Sequence, residues 1–469
     1  MLNDAPVGSP KWWLSRLDTE RTRRAAEYAE MRALVADDHP LAESQEASQK
    51  FTRMAGLATT NLMGLAAEAT AERMSIEGIR IGDKPEGDRD AWRIWKDSDF
   101  DAGSDEAIAA ALICERSFVS VSPPAGDRGP RLNYEDPANV VLAYSPEGDR
   151  TAALKVFGDE WTGDTFATLY TPGFIVRMTQ RGDADPFGPS RWVARQMTTG
   201  AQAVTRNPLG EVPFFELQNR PLGEIRSELA PLVVPQRLLN QTMFNVQAIA
   251  EYGAFRQKWA TGIEVPRDPA TGEPIAPYEA HIAKLFVAEG EDAKFGDFNA
   301  TDLKPHLDLA REIAGHMARI SRLPATYFMT EVSNVGAETL ALIVGGLVAK
   351  CKRRVKGYEP GFEGAMRLAF KAMGDPRAEE RIEVKWAEME TRSMAQAADA
   401  AVKLTTGDNP VITPQTAQEK WLGMSQTERD RDQSWRLENG ASDPLAALAN
   451  TLTGQASALP TTSGEAVDA

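Results

Sequence analysis

The chain has 469 residues, 42% of them hydrophobic, and its 68 acidic residues against 52 basic ones give a formal net charge of -16. This acidity argues against a protein that coats nucleic acid with a broad basic face, but it does not exclude a surface along which DNA must slide. The two cysteines, Cys114 and Cys351, are too few for a disulfide framework or a thiolate zinc site, and we expect both to be buried thiols.

The first ten residues are polar and predict no secretory signal, and the longest apolar run, 340–349, is too short to span a bilayer. We therefore expect a soluble protein with no membrane partner. Helical patterns occupy residues 13–34 and 47–74, a strand-like segment covers 76–81, and a short helix surrounds Trp92 and Trp95.

Between residues 117 and 215 the pattern changes to short strands separated by glycine, proline and aspartate. The strands predicted in this β-rich module are 118–121, 140–144, 153–157, 166–170 and 174–178. Because helices flank the module on both sides, the sequence predicts an α+β fold that is mainly helical.

Three long helices dominate the second half of the chain. The second of them ends at Leu323-Pro324, because proline disfavours helical geometry in the residue before it. The following loop, 325–336, holds Glu331 as its only charge, and the third helix has a basic middle. The predicted elements are helices at 236–259, 306–322, 337–373, 393–404 and 414–437, a strand at 382–386, and a proline-rich strand-and-turn segment at 262–298.

No familiar catalytic or cofactor motif is present in the sequence. The phosphate-loop, dinucleotide-binding, zinc-protease and serine-nucleophile patterns are missing, and the four histidines are scattered. Asp97, Asp99 and Asp101 resemble the start of a calcium loop but lack its glycine and terminal glutamate, so a solvated loop is the better interpretation. The sequence therefore predicts no catalytic residue, no metal and no cofactor.

A basic cluster in the third long helix leaves two interpretations open. It consists of Lys350, Lys352, Arg353, Arg354 and Lys356. These side chains are predicted either to contact phosphate groups or to form the solvated face of the helix, and the pattern fits both.

The order of these elements, together with several short motifs, resembles one known family. The motifs are Asn240-Gln241-Thr242, Ala254-Phe255-Arg256, Ile320-Ser321-Arg322-Leu323-Pro324, Tyr327-Phe328, Ser333-Asn334-Val335-Gly336-Ala337-Glu338, Lys350-Cys351-Lys352-Arg353-Arg354 and Ala365-Met366-Arg367-Leu368-Ala369. In these motifs the chain resembles the portal proteins of long-tailed siphophages, in particular the form common in phages of actinobacteria. The likeness is specific between residues 229 and 369, and it departs from the family at Val335-Gly336, where related chains tend to carry proline with Ser or Ala.

The resemblance implies a portal fold assembled as a ring, in which each subunit has a wing, a stem, a clip, a tunnel loop and a crown. The implied boundaries are wing 1–235, stem helices 236–261 and 304–324, clip 262–303, tunnel loop 325–336, long wing helix with its following strand 337–386, crown 387–440 and flexible tail 441–469.

The resemblance also implies where DNA would pass. The tunnel-loop residues would be Glu331, Val332, Ser333, Asn334, Val335 and Gly336, and a loop without Lys or Arg can press on DNA without gripping its phosphates. The candidates for a modest positive tunnel lining are Arg237, Arg256, Arg311, Arg319, Arg322, Lys350, Lys352, Arg353 and Arg354. Gly345-Gly346 predicts a hinge, seen as a bend or an unwound turn, because paired glycines weaken a helix.

By this resemblance the chain is a homo-oligomeric channel, a dodecamer, at one capsid vertex, through which double-stranded DNA is packaged and ejected without base-specific readout. The implied partners are other copies of the chain, double-stranded DNA, the terminase large subunit, the head-tail connector (adaptor) protein, and the major capsid and scaffolding proteins. The implied location is the virion, after a stage in the host cytoplasm. Two alternatives stay open: a hydrolase or transferase with a carboxylate pair in residues 117–215, and a scaffolding or minor capsid protein without a DNA tunnel.

Overall fold

The computed structural model of the chain describes residues 5–38, 56–83, 87–180, 192–195, 202–254, 258–261, 292, 294–297, 302–328, 337–390, 394–405 and 410–438. Its main helices are α1 (Pro10–Val35), α2 (Leu62–Ala71), α3 (Arg89–Asp97), α4 (Phe100–Cys114), α5 (Val233–Ala254), α6 (Lys304–Ser321), α7 (Ala337–Met373), α8 (Met394–Thr405), α9 (Pro414–Lys420) and α10 (Gln426–Glu438). Its strands are β1 (Ile76–Ile81), β2 (Arg116–Ser122), β3 (Arg131–Glu135), β4 (Val140–Tyr144), β5 (Arg150–Gly158), β6 (Thr165–Tyr170), β7 (Phe174–Gln180), β8 (Trp192–Ala194), β9 (Val204–Arg206), β10 (Phe214–Gln218), β11 (Lys258–Thr261), β12 (Lys294–Asp297) and β13 (Ile382–Trp386). Among the described helices, none combines the length and the apolar character that crossing a bilayer requires.

Helix α7 lies at the centre of the main hydrophobic core. Its buried face packs against β2, β10 and β13, and the same core takes in buried residues of α2, α3, α4 and α6. Trp95 of α3, Phe100 of α4 and Phe362 of α7 contact one another, with ring centroids 4.7 to 6.2 Å apart. Because these rings are almost fully buried, they fasten the amino-terminal helices to α7.

Three glycines on one face of α7 let the helix lie close to strand β10. A β-carbon on Gly357 would come 2.4 Å from the backbone oxygen of Gln218, and one on Gly364 would come 2.5 Å from the ring of Phe215. Gly361 lies between them and meets the same strand. Steps of four and three residues place all three on one side of a helix, so this close approach requires glycine there.

The β-rich module consists of two antiparallel sheets. The larger has the order β4-β5-β6-β7, with β8 and β9 both paired to β7, and the smaller has the order β10-β2-β3. Successive side chains of a strand point to opposite faces. On β5, Leu154 is therefore buried in the cluster that includes Leu17 of α1, whereas Ala153 is buried in the cluster that includes Phe118 of the smaller sheet. The larger sheet is thus covered on both faces.

Most elements predicted for the first half are confirmed, with two corrections. The predicted helix 47–74 is interrupted at residues 58–61, because Asn61 caps a new helix by accepting a hydrogen bond of 2.8 Å from the Gly64 backbone N–H; residues 47–55 lie outside the described part. Asp101, predicted in a solvated loop, lies in the first turn of α4 and accepts a hydrogen bond of 3.1 Å from Nε1 of Trp95.

The second half also requires two corrections. The predicted stem helix 236–261 ends at Ala254, and its last residues form β11, which pairs with β12. The predicted helix 414–437 is divided into α9 and α10, because Gly423 adopts a positive φ of 66° between them. Helices α6, α7 and α8 and strand β13 lie where the sequence predicts them.

The last two helices pack against β1 and α3. Gln426 of α10 accepts a hydrogen bond of 3.1 Å from the Ile79 backbone N–H and donates one of 3.0 Å to the Asp88 carbonyl. Gly78 and Gly87 leave room for this side chain, since a β-carbon on either would come within 2.6 Å of it. The predicted crown 387–440 therefore contacts the predicted wing of the same subunit.

Several parts of the predicted subdivision lie outside the described residues. They are most of the clip 262–303, residues 329–336 of the tunnel loop, and the flexible tail 441–469. The start of the tunnel loop is described, and Ala325–Tyr327 forms a single 3-10 turn. The subdivision into wing, stem, clip and crown stays a prediction.

Candidate nucleic-acid interface

Helix α6 ends in a strained residue just before the predicted tunnel loop. Its last residue is Ser321, and Arg322 follows in the left-handed conformation with φ 55° and ψ 28°. The Arg322 backbone N–H caps the helix by donating to Ala318 and Arg319 carbonyls, and that of Leu323 donates to Ala318 at 3.1 Å. A residue with a β-carbon pays roughly 1 kcal/mol in this conformation, so strain is stored at this helix end.

Arg322 is the strongest remaining candidate for a DNA contact on α6. Its side chain is exposed and forms no ion pair with another described residue. Arg311 and Arg319 are also exposed, but they pair with carboxylates of their own helix at 3.4 and 2.8 Å. Arg237 of α5 pairs with Glu30 at 3.2 Å. These exposed pairs contribute little stability and are easily exchanged for phosphate.

The variant Arg322→Gly tests whether an arginine occupies this strained position because its side chain has a function. Glycine adopts positive φ freely, so the free energy of unfolding is expected to rise by about 1 kcal/mol. By the resemblance to portal proteins, removing the charge is expected to weaken DNA packaging, while Arg322→Lys keeps the charge and serves as the control. Urea unfolding and packaged DNA per capsid would be measured. A stabilised Arg322→Gly protein that packages DNA normally would show that Arg322 has no part in translocation.

Lys350 of α7 is buried, with 3% of its side chain exposed. Its ammonium donates hydrogen bonds to Oγ1 of Thr70 at 2.8 Å and to the carbonyl of Ser321 at 2.9 Å, and it lies 3.8 Å from Oε1 of Glu228. Burial lowers the pKa of Lys350, and the neighbouring Glu228 carboxylate opposes this shift. The lysine thus connects α7 to the end of α2 and to the end of α6.

Arg354 lies one turn further along α7 and belongs to the same buried network. Its guanidinium donates two hydrogen bonds to the carboxylate of Glu228, at 2.8 and 3.2 Å. Asn219 joins the network by donating to Glu228 at 3.4 Å and accepting from the hydroxyl of Tyr358 at 3.2 Å. A paired, bidentate arrangement of this kind is what allows three charged groups to be buried together.

The prediction that Lys350 and Arg354 line a DNA tunnel is wrong for these two residues. Both side chains are buried within the subunit, and their donors are engaged by Thr70, Ser321 and Glu228. A phosphate would have to break these contacts to reach them. Their role in this structure is to hold helices together.

The neighbouring Lys352 and Arg353 are exposed to solvent on α7. Lys352 pairs with Glu390 at 2.6 Å, with half of its side chain in solvent, and Arg353 forms no ion pair with a described residue. Both therefore stay candidates for contact with phosphate. The basic cluster divides into a buried pair and an exposed set, so each of the two sequence interpretations missed part of it.

The remaining predicted residues are placed as follows. Residues 331–336 of the tunnel loop and Arg256 lie outside the described part of the chain. Gly345 and Gly346 lie within α7, which is helical from Ala337 to Met373, so the structure has no unwound turn at this position. A bend there in an assembled ring stays a prediction.

Carboxylates buried in the β-rich module have structural partners. Glu135 accepts a hydrogen bond of 2.7 Å from Lys155, and Glu216 accepts bonds from Arg116 at 2.6 Å and Tyr144 at 2.9 Å. Such partners offset the cost of burying the charge. Across the residues that the structure describes, no three His, Cys, Asp or Glu side chains are grouped to hold a metal.

Comparisons with known proteins identify the relatives of this chain. Residues 14–429 match the family described as "Phage portal protein, SPP1 Gp6-like". Two relatives named "Portal protein", from Mycobacterium phage D29 and Mycobacterium phage L5, are 29% and 28% identical over 400 residues, covering 80% of this chain and 78% of each relative. A solved structure titled "Virion of native gene transfer agent (GTA) particle" is similar with a TM-score of 0.39 and 11% identity, covering 78% of this chain and 91% of that one.

The family match extends over far more than half of the chain, and the two phage relatives cover most of it. The resemblance to portal proteins of the actinobacteriophage form is thereby confirmed, and the mixed helix and sheet architecture agrees with the predicted α+β portal fold. The chain belongs to the SPP1 Gp6-like family of phage portal proteins.

Proposed function

We propose that this chain assembles into a homo-oligomeric ring at one vertex of a phage capsid and forms the channel through which double-stranded DNA is packaged and ejected. Membership of the portal family supports the channel role. Exposed apolar side chains on the two stem helices support self-assembly. The proposal of a ring rests mainly on these exposed side chains, because they are a feature of this chain itself.

Helices α5 and α6 pack against each other and still expose apolar side chains to solvent. Val234 is 73% exposed, Leu238 51% and Leu309 49%. Burying one such side chain contributes roughly 1.5 to 3 kcal/mol, and apolar exposure on two adjacent helices is typical of an association surface. A second copy packed against this helix pair would cover them, and a head-to-tail contact that closes on itself makes a ring.

The size and partners of the ring are proposed from the resemblance to siphophage portals. The ring would contain twelve subunits. Its clip would meet the terminase large subunit during packaging and the head-tail connector afterwards, while its wing would contact the major capsid and scaffolding proteins. The subunits would stay in the host cytoplasm until they enter the virion.

The DNA path is proposed to run past the carboxyl end of α6 and the loop 325–336. Residues 331–336 carry one negative charge and no positive one, so they would touch DNA without holding its phosphates. Arg322 and Arg353 would add a weak, sequence-independent attraction. A few weak phosphate contacts suit a channel through which any sequence must pass.

The double variant Leu238→Glu, Leu309→Glu tests the ring. Placing unpaired carboxylates in a subunit contact is expected to cost roughly 3 kcal/mol per site, enough to leave a monomer of 51.2 kDa at micromolar concentration. Val204→Glu, at another exposed apolar position on β9, is the matched control and is expected to keep the ring. Sedimentation and negative-stain images would be the measurements.

Four outcomes would count against this proposal. A wild-type protein that stays monomeric even with its capsid partners would exclude the ring, and particles without a central hole would favour a scaffolding or minor capsid protein. Rings that survive both glutamates would show that α5 and α6 are not the contact surface. Substrate turnover by the purified protein would favour the hydrolase or transferase alternative.

A further inference from the structure

Lys350 lies where the two helices that flank the predicted tunnel loop come together. It contacts the carbonyl of Ser321, the last residue of α6, from its own position on α7. One turn earlier on α7, a β-carbon on Gly346 would lie 3.9 Å from the Arg322 carbonyl, so the same face of α7 passes close to the end of α6. In the chain, the predicted tunnel loop thus lies between two helices that this lysine joins.

The contacts of Lys350 are well suited to holding a helix end. The last carbonyls of a helix lack partners within the helix and carry partial negative charge, so an ammonium is a favourable partner for them. Thr70 supplies a second acceptor from α2, and Glu228 supplies the counter-charge. The hydroxyl of Thr70 also donates to the Ala66 carbonyl at 2.8 Å, which fixes it in place.

Stability alone does not explain a lysine at this position. A buried charged group is often replaced by an apolar side chain of similar size without loss of stability, and Glu228 would still keep its bidentate partner Arg354. What an apolar side chain cannot do is donate to the Ser321 carbonyl. The lysine therefore fixes a geometry, namely the position of the end of α6 relative to α7.

We propose that Lys350 is a positioning residue for DNA translocation, which fastens the end of α6 to α7 and so sets where the chain leaves α6 toward the tunnel loop. This inference rests on the proposed function, since it assigns a role to Lys350 within a DNA channel. It replaces the direct phosphate contact predicted from the sequence with an indirect role. Lys350 acts through Ser321 and Arg322, and it touches no DNA.

The test compares Lys350→Met with Lys352→Met in assembled rings and in capsids. Both variants remove one positive charge from α7, but only Lys350 contacts the end of α6. In Lys350→Met, amide hydrogen exchange at residues 318–323 is expected to become about tenfold faster, the effect of losing one hydrogen bond to a charged group. Packaging, or retention of the packaged genome, is expected to fall, while Lys352→Met leaves the exchange unchanged.

A second variant, Thr70→Val, keeps the proposal testable if Lys350→Met does not fold. Thr70→Val removes one acceptor of the ammonium with almost no change of shape, and a smaller increase in exchange at 318–323 is expected. Unchanged exchange in both variants would overturn the proposal. So would faster exchange in Lys350→Met rings that package and retain DNA as well as wild-type rings, because the lysine would then be structural only. Failure of the wild type to form rings would instead contradict the proposed function, and the inference with it.

Discussion

Replacing Gly357 with alanine is expected to lower the free energy of unfolding by roughly 3 kcal/mol, the upper part of the usual cost of overpacking. The added β-carbon would lie 2.4 Å from the backbone oxygen of Gln218. A backbone atom in a paired strand cannot rotate away as a side chain can, so α7 would have to move off β10. Because α7 is the central helix of the main core, this movement would disturb packing along its whole buried face.

Gly345→Ala in the same helix is the matched control. A β-carbon there meets no atom within 4 Å, and alanine is the better helix former by about 1 kcal/mol, so this variant is expected to be more stable than the wild type. Urea unfolding of the two variants would be compared with the wild type. Equal effects of the two substitutions would mean that the approach of α7 to β10 is not as close as the structure has it.

The same helix illustrates what the sequence could predict. Helix α7 was predicted at its observed limits, although Pro360 lies inside it, and β1 and β13 were predicted as strand-like segments of five to six residues. Helix α4 was missed. Gly103 and three acidic residues disturb its pattern, and its second half is buried on most sides, so no single apolar stripe marks it as a helix.

In the candidate interface, the angular positions of the basic residues around α7 already indicate which of them are buried. At 100° per residue, Arg354 lies about 20° and Lys350 about 60° around α7 from buried Leu347, whereas Arg353 lies about 120° away. Helical phase alone therefore separates these two buried cations from exposed Arg353. Their partners could not be found in this way, because Thr70 and Glu228 are more than 120 residues away in the chain and only the fold brings them to α7.

The left-handed conformation of Arg322 could not be predicted from the sequence either. Leu323-Pro324 predicts the end of α6, and the helix ends there. A glycine would normally mark a left-handed residue after a helix, but an arginine occupies the position. Only the backbone angles reveal that this arginine is strained and therefore a candidate for function.

Removing the charge of Glu228 is expected to have the largest effect of any substitution near the interface. The variant Glu228→Gln keeps the shape of the side chain but leaves Lys350 and Arg354 buried without a counter-charge, at a cost of roughly 3 to 5 kcal/mol. Burial alone would raise the pKa of Glu228, but the hydrogen bond from Arg354 and the charges of Lys350 and Arg354 lower it below its usual 4.5. The stabilisation is therefore present above about pH 4.5 and is lost as the pH falls through the folded-state pKa.

The measurement is urea unfolding of wild type and Glu228→Gln as a function of pH, and their difference is expected to shrink in acid as Glu228 takes up a proton. The triple variant Glu228→Leu, Lys350→Met, Arg354→Met removes the whole charged set and is expected to return to within about 1 kcal/mol of the wild type. It would still lack the donor to the Ser321 carbonyl, so its DNA packaging is expected to stay defective although its stability recovers. A loss below about 1 kcal/mol in Glu228→Gln at neutral pH would contradict the argument, because it would mean that water, and not this carboxylate, solvates the two cations.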